Sequence, residues 1–296
     1  MLNLKKIAAA ALAAAMALSL TACSGGEESS TAETYTGKAY EAEILTPGEI
    51  VVGVSADYPP YESLSTTGEL EGFDIDMMEE LATYMGTEDK PVKVVWQQMD
   101  FSTIITALQS GQIDLGVAAF TYNPERECLF SDPYLESKQV VVLPAGSTIT
   151  SFDQFEGLTV GAGLGTTGEA AAKEQLIGAN VVNTGDYTVM FEALKNGALD
   201  AVVCDGVVGE NYAEANGFVV METPLIDEEN SVIVRTGNDA LLEEVNNAIA
   251  QFRASDAYEE FKAKWGLGGD GAEADAETDS SSEAPAEEPA LEEAAA

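Results

Sequence analysis

Leu108-Gln-Ser-Gly-Gln-Ile-Asp-Leu-Gly-Val117 returns later in the chain as Leu194-Lys-Asn-Gly-Ala-Leu-Asp-Ala-Val-Val203, with Leu, Gly, Asp and Val at matching places. Each copy reads as the close of a helix, a glycine that stops it, and the next buried strand. The echo predicts two similar lobes. Working outward, apolar runs predict strands over 49–55, 92–96, 114–120, 139–143, 158–162, 181–182, 200–204 and 231–235. Helical spacing covers 73–85, where Phe73, Met77, Leu81 and Tyr84 share a stripe, and the stretch from an Asp100 cap to Gly111. Asn123-Pro124 predicts the start of a short helix containing Arg126. Further helices are expected over 167–176, 187–196, 207–215, 240–253 and 256–265. Strands alternating with helices imply an α/β fold with largely parallel sheets. Ligands bind such sheets beyond the carboxyl ends of the strands, so two lobes facing each other make a cleft.

Both ends of the 296-residue chain stand apart from this pattern. Lys5 and Lys6 precede an apolar run, Ile7 to Leu20, and a small-residue site ending in Cys23. That is the layout of a secretory signal, and the run is shorter than the ~20 residues of a bilayer span. Leu20-Thr-Ala-Cys23 resembles the lipobox of bacterial lipoproteins. The resemblance implies removal of residues 1–22 and acylation of Cys23 with two chains of the palmitate kind, which anchor stably where one does not. Residues 23–46 read as a flexible tether. Residues 269–296, rich in acid, Ala, Ser and Pro without base or aromatic, read as a disordered acidic tail.

Lys and Arg number 13 against 52 Asp and Glu, a net charge of -39, which argues against nucleic acid and anionic membrane surfaces as partners. Histidine is absent, which removes Ser/His/Asp and Cys/His catalysis and the commonest zinc ligand. No cofactor or metal is called for. Cys128 and Cys204 could form one disulfide of an exported protein or stay as thiols; their spacing decides neither.

The body also carries an ordered set of motifs. They are Val51-Val-Gly-Val-Ser-Ala-Asp-Tyr58-Pro-Pro-Tyr61-Glu62, Gly72-Phe-Asp74, Met99-Asp-Phe101, Gly111-Gln-Ile-Asp114, and Asn123-Pro-Glu-Arg126 after Thr121. Phe130-Ser-Asp-Pro-Tyr134, Gly163-Leu-Gly-Thr166-Thr167-Gly-Glu169 and Asp200-Ala-Val-Val-Cys-Asp205 follow. Together they resemble the amino-acid-binding family of solute receptors that serve ABC transporters. The resemblance implies a two-lobed type II periplasmic binding protein fold with two hinge strands. Lobe one would take 47–138 and 234–268, and lobe two 139–228, with hinges near 137–140 and 230–233. It also implies a monomeric, extracytoplasmic receptor, lipid-anchored at the cell membrane, whose partners are an amino acid and ABC permease subunits. A dehydratase of cyclic acids or a ligand sensor on the same fold is the alternative, with Glu62 the one conceivable base.

Each implied site residue has a physical reading and a plainer one. Arg126 offers a planar fork to a ligand carboxylate; otherwise it is a surface arginine pairing with Glu125 or Glu127. Thr166-Thr167-Gly-Glu169 fits a capping box, whose helix N-terminus also suits a carboxylate. Asp205 would take the ligand ammonium, or simply cap the next helix. Tyr58 and Phe101 would sandwich the ligand side chain, or pack in the core. Thr121 and the backbone at Ala118 and Ala119 would complete the contacts. Ser55 stands where many relatives have an acid that reads a basic side chain, with Asp57 two residues on, which weakens the expectation of a basic ligand.

Overall fold

The computed structural model describes residues 43–87 and 89–268. The expected leader, the Cys23 anchor, nearly all of the tether and the acidic tail lie outside the described residues. In chain order the elements are β1 (Glu49–Val54), β2 (Asp57–Tyr58), β3 (Glu62–Leu64), β4 (Leu70–Glu71), α1 (Phe73–Met85), β5 (Lys93–Gln98), α2 (Phe101–Gln109), β6 (Leu115–Thr121), β7 (Leu129–Phe130) and β8 (Leu135–Leu143). There follow β9 (Thr159–Gly163), α3 (Thr167–Gln175), β10 (Asn180–Thr184), α4 (Tyr187–Lys195), β11 (Ala201–Asp205), α5 (Gly206–Asn216), β12 (Val219–Val220), β13 (Ile226–Val234), α6 (Asp239–Arg253) and α7 (Asp256–Lys264).

One sheet runs β10-β9-β11-β8-β13-β6-β1-β5. Its two flanks, β5-β1-β6 and β10-β9-β11, are parallel. The long strands β8 and β13 join them. Leu135 to Gln139 pairs antiparallel with Asn230 to Ile226, after which β8 continues along β11 and β13 along β6. Parallel sheets are covered on both faces, and this one is. On one flank Ile50 and Val52 pack with Met77 and Leu81 of α1, while Val51 packs with Ile104 and Leu108 of α2. On the other, Val160 and Val203 face Ala171 and Ala172 of α3, while Val202 and Cys204 face Met190, Phe191 and Val208.

The repeat is a structural one. Gly111 and Gly197, with φ of 68° and 73°, end the turns after α2 and α4 in the left-handed region open to glycine. Asp114 Oδ2 then accepts the Val51 N–H, and Asp200 Oδ2 accepts the Thr159 N–H, both at 2.8 Å. Each aspartate ties the start of one strand to its parallel neighbour.

Some local expectations need correction. No helix contains Arg126: Asn123 to Arg126 is a turn, in which Asn123 Oδ1 accepts the Glu125 N–H at 2.8 Å and its carbonyl accepts the Arg126 N–H at 3.0 Å. The asparagine side chain satisfies the turn itself, and the chain goes on into β7, paired with β13. Asp100 occupies the N-cap position of α2 without a side-chain cap; its carbonyl accepts from Thr103 instead. The capping box at α3 is half formed: Thr166 Oγ1 accepts the Glu169 N–H at 3.1 Å, but Glu169 Oε2 reaches the Gly165 N–H at 2.7 Å. Cys128 and Cys204 are free thiols, and burial pushes the Cys204 thiol well up.

Candidate functional site

The carboxyl ends of β1, β6, β9, β10 and β11 converge on one pocket. It is lined by Ser55, Asp57, Tyr58, Glu62, Phe101, Ser102, Ala118, Ala119, Thr121, Arg126, Gln139, Gly163, Leu164, Thr166, Thr167, Thr184, Gly185, Tyr187 and Asp205. All ten residues picked from the sequence are among them, drawn from both flanks of the sheet. Their convergence follows from topology: Ala118, Ala119, Thr121 and Asp205 lie in the carboxyl-terminal halves of β6 and β11, and Ser55, Phe101, Thr166 and Thr167 follow the ends of β1, β5 and β9.

Arg126 reaches into the pocket from its turn. Nη1 donates to the Thr121 carbonyl at 2.7 Å and Nη2 to the Gly165 carbonyl at 3.0 Å, across the cleft. Its guanidinium lies 5.5 and 5.4 Å from the ring centres of Phe101 and Phe120, which stack on each other at 4.6 Å. Phe101 thus serves the core and the pocket at once. Burial lowers the arginine pKa, opposed by the charges of Cys128 and Glu228. No ion pair of Arg126 with Glu125 or Glu127 occurs among the described residues.

Asp205 stands at the N-cap position of α5, yet makes no side-chain cap. Its carboxylate instead accepts from Tyr58 OH at 3.0 Å, from Ser137 Oγ at 2.7 Å and from Gln139 Nε2. Tyr58 OH also accepts the Asp205 N–H at 2.7 Å, so the tyrosine bolts the two flanks together. Gln139 passes the network to Glu228, and Glu228 Oε2 accepts from Thr121 Oγ1 at 3.2 Å. Burial, and then the nearby Glu228, raise the Asp205 carboxyl from 3.8 to about 7.

Asp57 makes a third link across the cleft. It accepts from Ser55 Oγ at 2.8 Å and from the Tyr187 N–H, at the start of α4, at 2.9 Å. Tyr187 packs on Tyr58 with ring centres 4.6 Å apart. Glu62 is 1 % exposed, lines the same pocket, and leaves Oε2 without a hydrogen-bond partner. Burial first, then Asp74 and Asp57, push its carboxyl well above the ordinary range.

Tyr187, Gln139 and Leu164 line the pocket beyond those ten. Tyr187 and Leu164 carried a usable signal, since they too sit just past strand ends, those of β10 and β9. Gln139 carried none, for it lies mid-strand in β8 where polar and apolar positions change over. Cys204, next to Asp205, is buried and does not line the pocket.

The chain is similar to several known proteins. The glutamine-binding protein GlnH of an ABC transporter of Bacillus subtilis (strain 168) is 32% identical over 268 residues, covering 88% of this chain and 97% of its own. The solved structure of an ancestral arginine-binding protein bound to glutamine is 36% identical with a TM-score of 0.69, covering 74% of this chain and 98% of the other. An ancestral amino acid-binding protein, AncCDT-1, described as a precursor of cyclohexadienyl dehydratase, is 32% identical with a TM-score of 0.70, covering 76% and 98%. These are two-lobed binding proteins, and the fold is theirs. Residues 50–268 match the model of the bacterial extracellular solute-binding proteins, family 3, and the chain belongs to that family.

Proposed function

We propose that the protein is an extracytoplasmic receptor, lipid-anchored through Cys23, that closes two lobes around an amino acid and delivers it to the permease subunits of an ABC importer. One observation carries the reading. A guanidinium and a carboxylate, Arg126 and Asp205, line one pocket, and among the described residues neither forms an ion pair. A zwitterion supplies both missing counter-charges: its carboxylate to the Arg126 fork and its ammonium to Asp205. Thr121, the backbone of Ala118 and Ala119, and the α3 N-terminus at Thr166 and Thr167 add hydrogen bonds. Tyr58 and Phe101, beside Ser55, offer aromatic surface to the side chain. The reading places lobe one at 47–138 and 234–268 and lobe two at 139–228, turning about the β8–β13 ladder. A ligand held by one lobe offers contacts that only closure completes, so binding shifts the population toward the closed state. One chain supplies the whole site, so a monomer suffices.

The test is a thermal-shift screen of the protein against the twenty amino acids. Ligand at 1,000 times its dissociation constant stabilises the folded state by ~4 kcal/mol. A rise in melting temperature with one or a few amino acids, lost in Arg126→Ala and Asp205→Ala, supports the receptor. No rise with any of them rejects the zwitterion assignment.

A dehydratase-like enzyme is a second reading, favoured by Glu62. A buried carboxyl that lines the pocket, pushed above its ordinary range by burial, is the kind of group that general acid–base catalysis uses. It predicts turnover of a cyclohexadienyl acid that Glu62→Gln abolishes; binding without turnover leaves the receptor alone.

A further inference from the structure

The wall of the pocket formed by β6 is bent, and a buried acid holds the bend. Phe120 pairs with Ser231 and Gly116 with Ile233, so β6 spends four residues where β13 spends two. The surplus is a bulge over Val117 to Ala119. Within it Ala119 takes a φ of 45°, the left-handed region that a side chain disfavours and the sole such non-glycine among the described residues. Bulges beside binding sites re-aim what the strand presents, and Ala118 and Ala119 line the pocket. A left-handed alanine persists only where its surroundings impose it. Here Asp74 Oδ2 accepts the Ala119 N–H at 3.0 Å. Asp74 is fully buried in the first turn of α1, and its carboxylate is itself fixed by Tyr134 OH, which donates to both oxygens at 2.9 and 3.0 Å. The Asp74 N–H in turn donates to the Tyr61 carbonyl at 2.9 Å, tying the helix start to the segment that carries Tyr58 and Glu62.

We propose that Asp74 is a positioning residue for ligand binding: by holding the Ala119 amide it fixes the left-handed bulge that turns the backbone of residues 118–119 toward the ligand. The proposal rests on the receptor reading above. Asp74 does not line the pocket, so it acts through Ala119 and not by contact.

The test uses the full chain with L-glutamine and L-arginine as probes, by calorimetric titration, together with the amide NMR spectrum of the ligand-free protein. Asp74→Ala and the milder Asp74→Asn are each made alone and combined with Ala119→Gly, since glycine takes the left-handed conformation unaided. The expected result is a loss of affinity of at least tenfold in the Asp74 variants and recovery of most of it on adding Ala119→Gly. The Ala119 amide resonance should also move when Asp74 is replaced. A merely space-filling Asp74 would gain nothing from Ala119→Gly, so failure of that rescue overturns the proposal, as does unchanged affinity in both single variants. If Asp74→Ala does not fold, Asp74→Asn and Tyr134→Phe carry the same comparison. If neither probe binds the wild type, the receptor reading fails for those ligands. The Ala119 resonance still decides whether Asp74 holds the turn, and an unmoved resonance overturns it.

Discussion

At the scale of single residues the pocket is short of positive charge. Asp57, Glu62 and Asp205 line it against Arg126 alone. Burial is the first cause raising all three carboxyls, and Asp74 behind them is raised to about 6. A raised folded-state value means that the folded protein binds more protons than the unfolded chain between the two values, so stability falls as pH rises through that window. The ligand-free protein should therefore melt higher at pH 5 than at pH 8, the reverse of a protein held by salt-bridged acids. At this size each 1 kcal/mol lost lowers the melting temperature by ~2–4 °C. Melting curves across that range test it, and Asp205→Asn should flatten the slope; a profile identical to wild type would count against Asp205 as a source. A bound ammonium favours the charged carboxylate, so affinity should strengthen as pH rises through about 7, the Asp205 value. Arg126→Lys keeps the charge and loses the fork; titration should show affinity down at least tenfold with the fold intact. The positions of Arg126 and Asp205 in the cleft were legible through the motif pattern, not through local spacing. Locally the first resembles a surface arginine and the second a helix cap.

At the scale of elements, helices and buried strands were legible because their apolar periods are strong. The three strands β2, β3 and β4 were not, being two or three residues long, too short for any period to show. The expected strands 139–143 and 231–235 are the second halves of longer ones. In β8 the burial pattern alternates over its first residues and becomes continuous from Gln139 onward; β13 does likewise from Asn230. The alternating halves form the two-stranded ladder and the continuous halves enter the covered sheets, so an apolar search finds only the latter. Two substitutions test elements directly. Gly72 precedes α1 at a φ of 137°, and a Cβ there would overlap the Tyr61 carbonyl. Gly72→Ala should cost on the order of 2 kcal/mol or more in denaturant unfolding, from strain and overlap together. Thr166→Ala removes the N-cap of α3 and should cost ~1 kcal/mol while also weakening ligand binding, because the same loop lines the pocket.

At the scale of the molecule, hydrogen bonds across the cleft include those of Tyr58 with Asp205, Arg126 with Gly165, and Asp57 with Tyr187. Each uses a group that the ligand would also want or sit beside. On the proposed receptor reading, closure without ligand and closure on ligand would therefore draw on the same atoms. Tyr58→Phe removes the hydroxyl of the first contact. In hydrogen exchange, the ladder of residues 135–139 and 226–230 should open more often in that variant without ligand and regain protection when ligand is added. Equal exchange in both proteins would show that the tyrosine does not govern closure. The α/β class was legible from strands alternating with helices, and the doubling from the Leu-Gly-Asp-Val echo. The antiparallel ladder that joins the halves was not, because it depends on pairing between segments that no local pattern links.

That ladder also dictates an order of assembly. Among the described residues β13 is the last strand to leave the ribosome, yet it sits between β8 and β6, and 107 positions separate Thr121 from its partner Glu228. Until residues 226–234 emerge, β6 keeps a bare edge, the kind that recruits strands from other chains. A nascent chain released at residue 225 should therefore be found in aggregates, whereas one released at 268 should stay in solution. Translation past β13 is the moment at which the first-made half of the protein becomes safe.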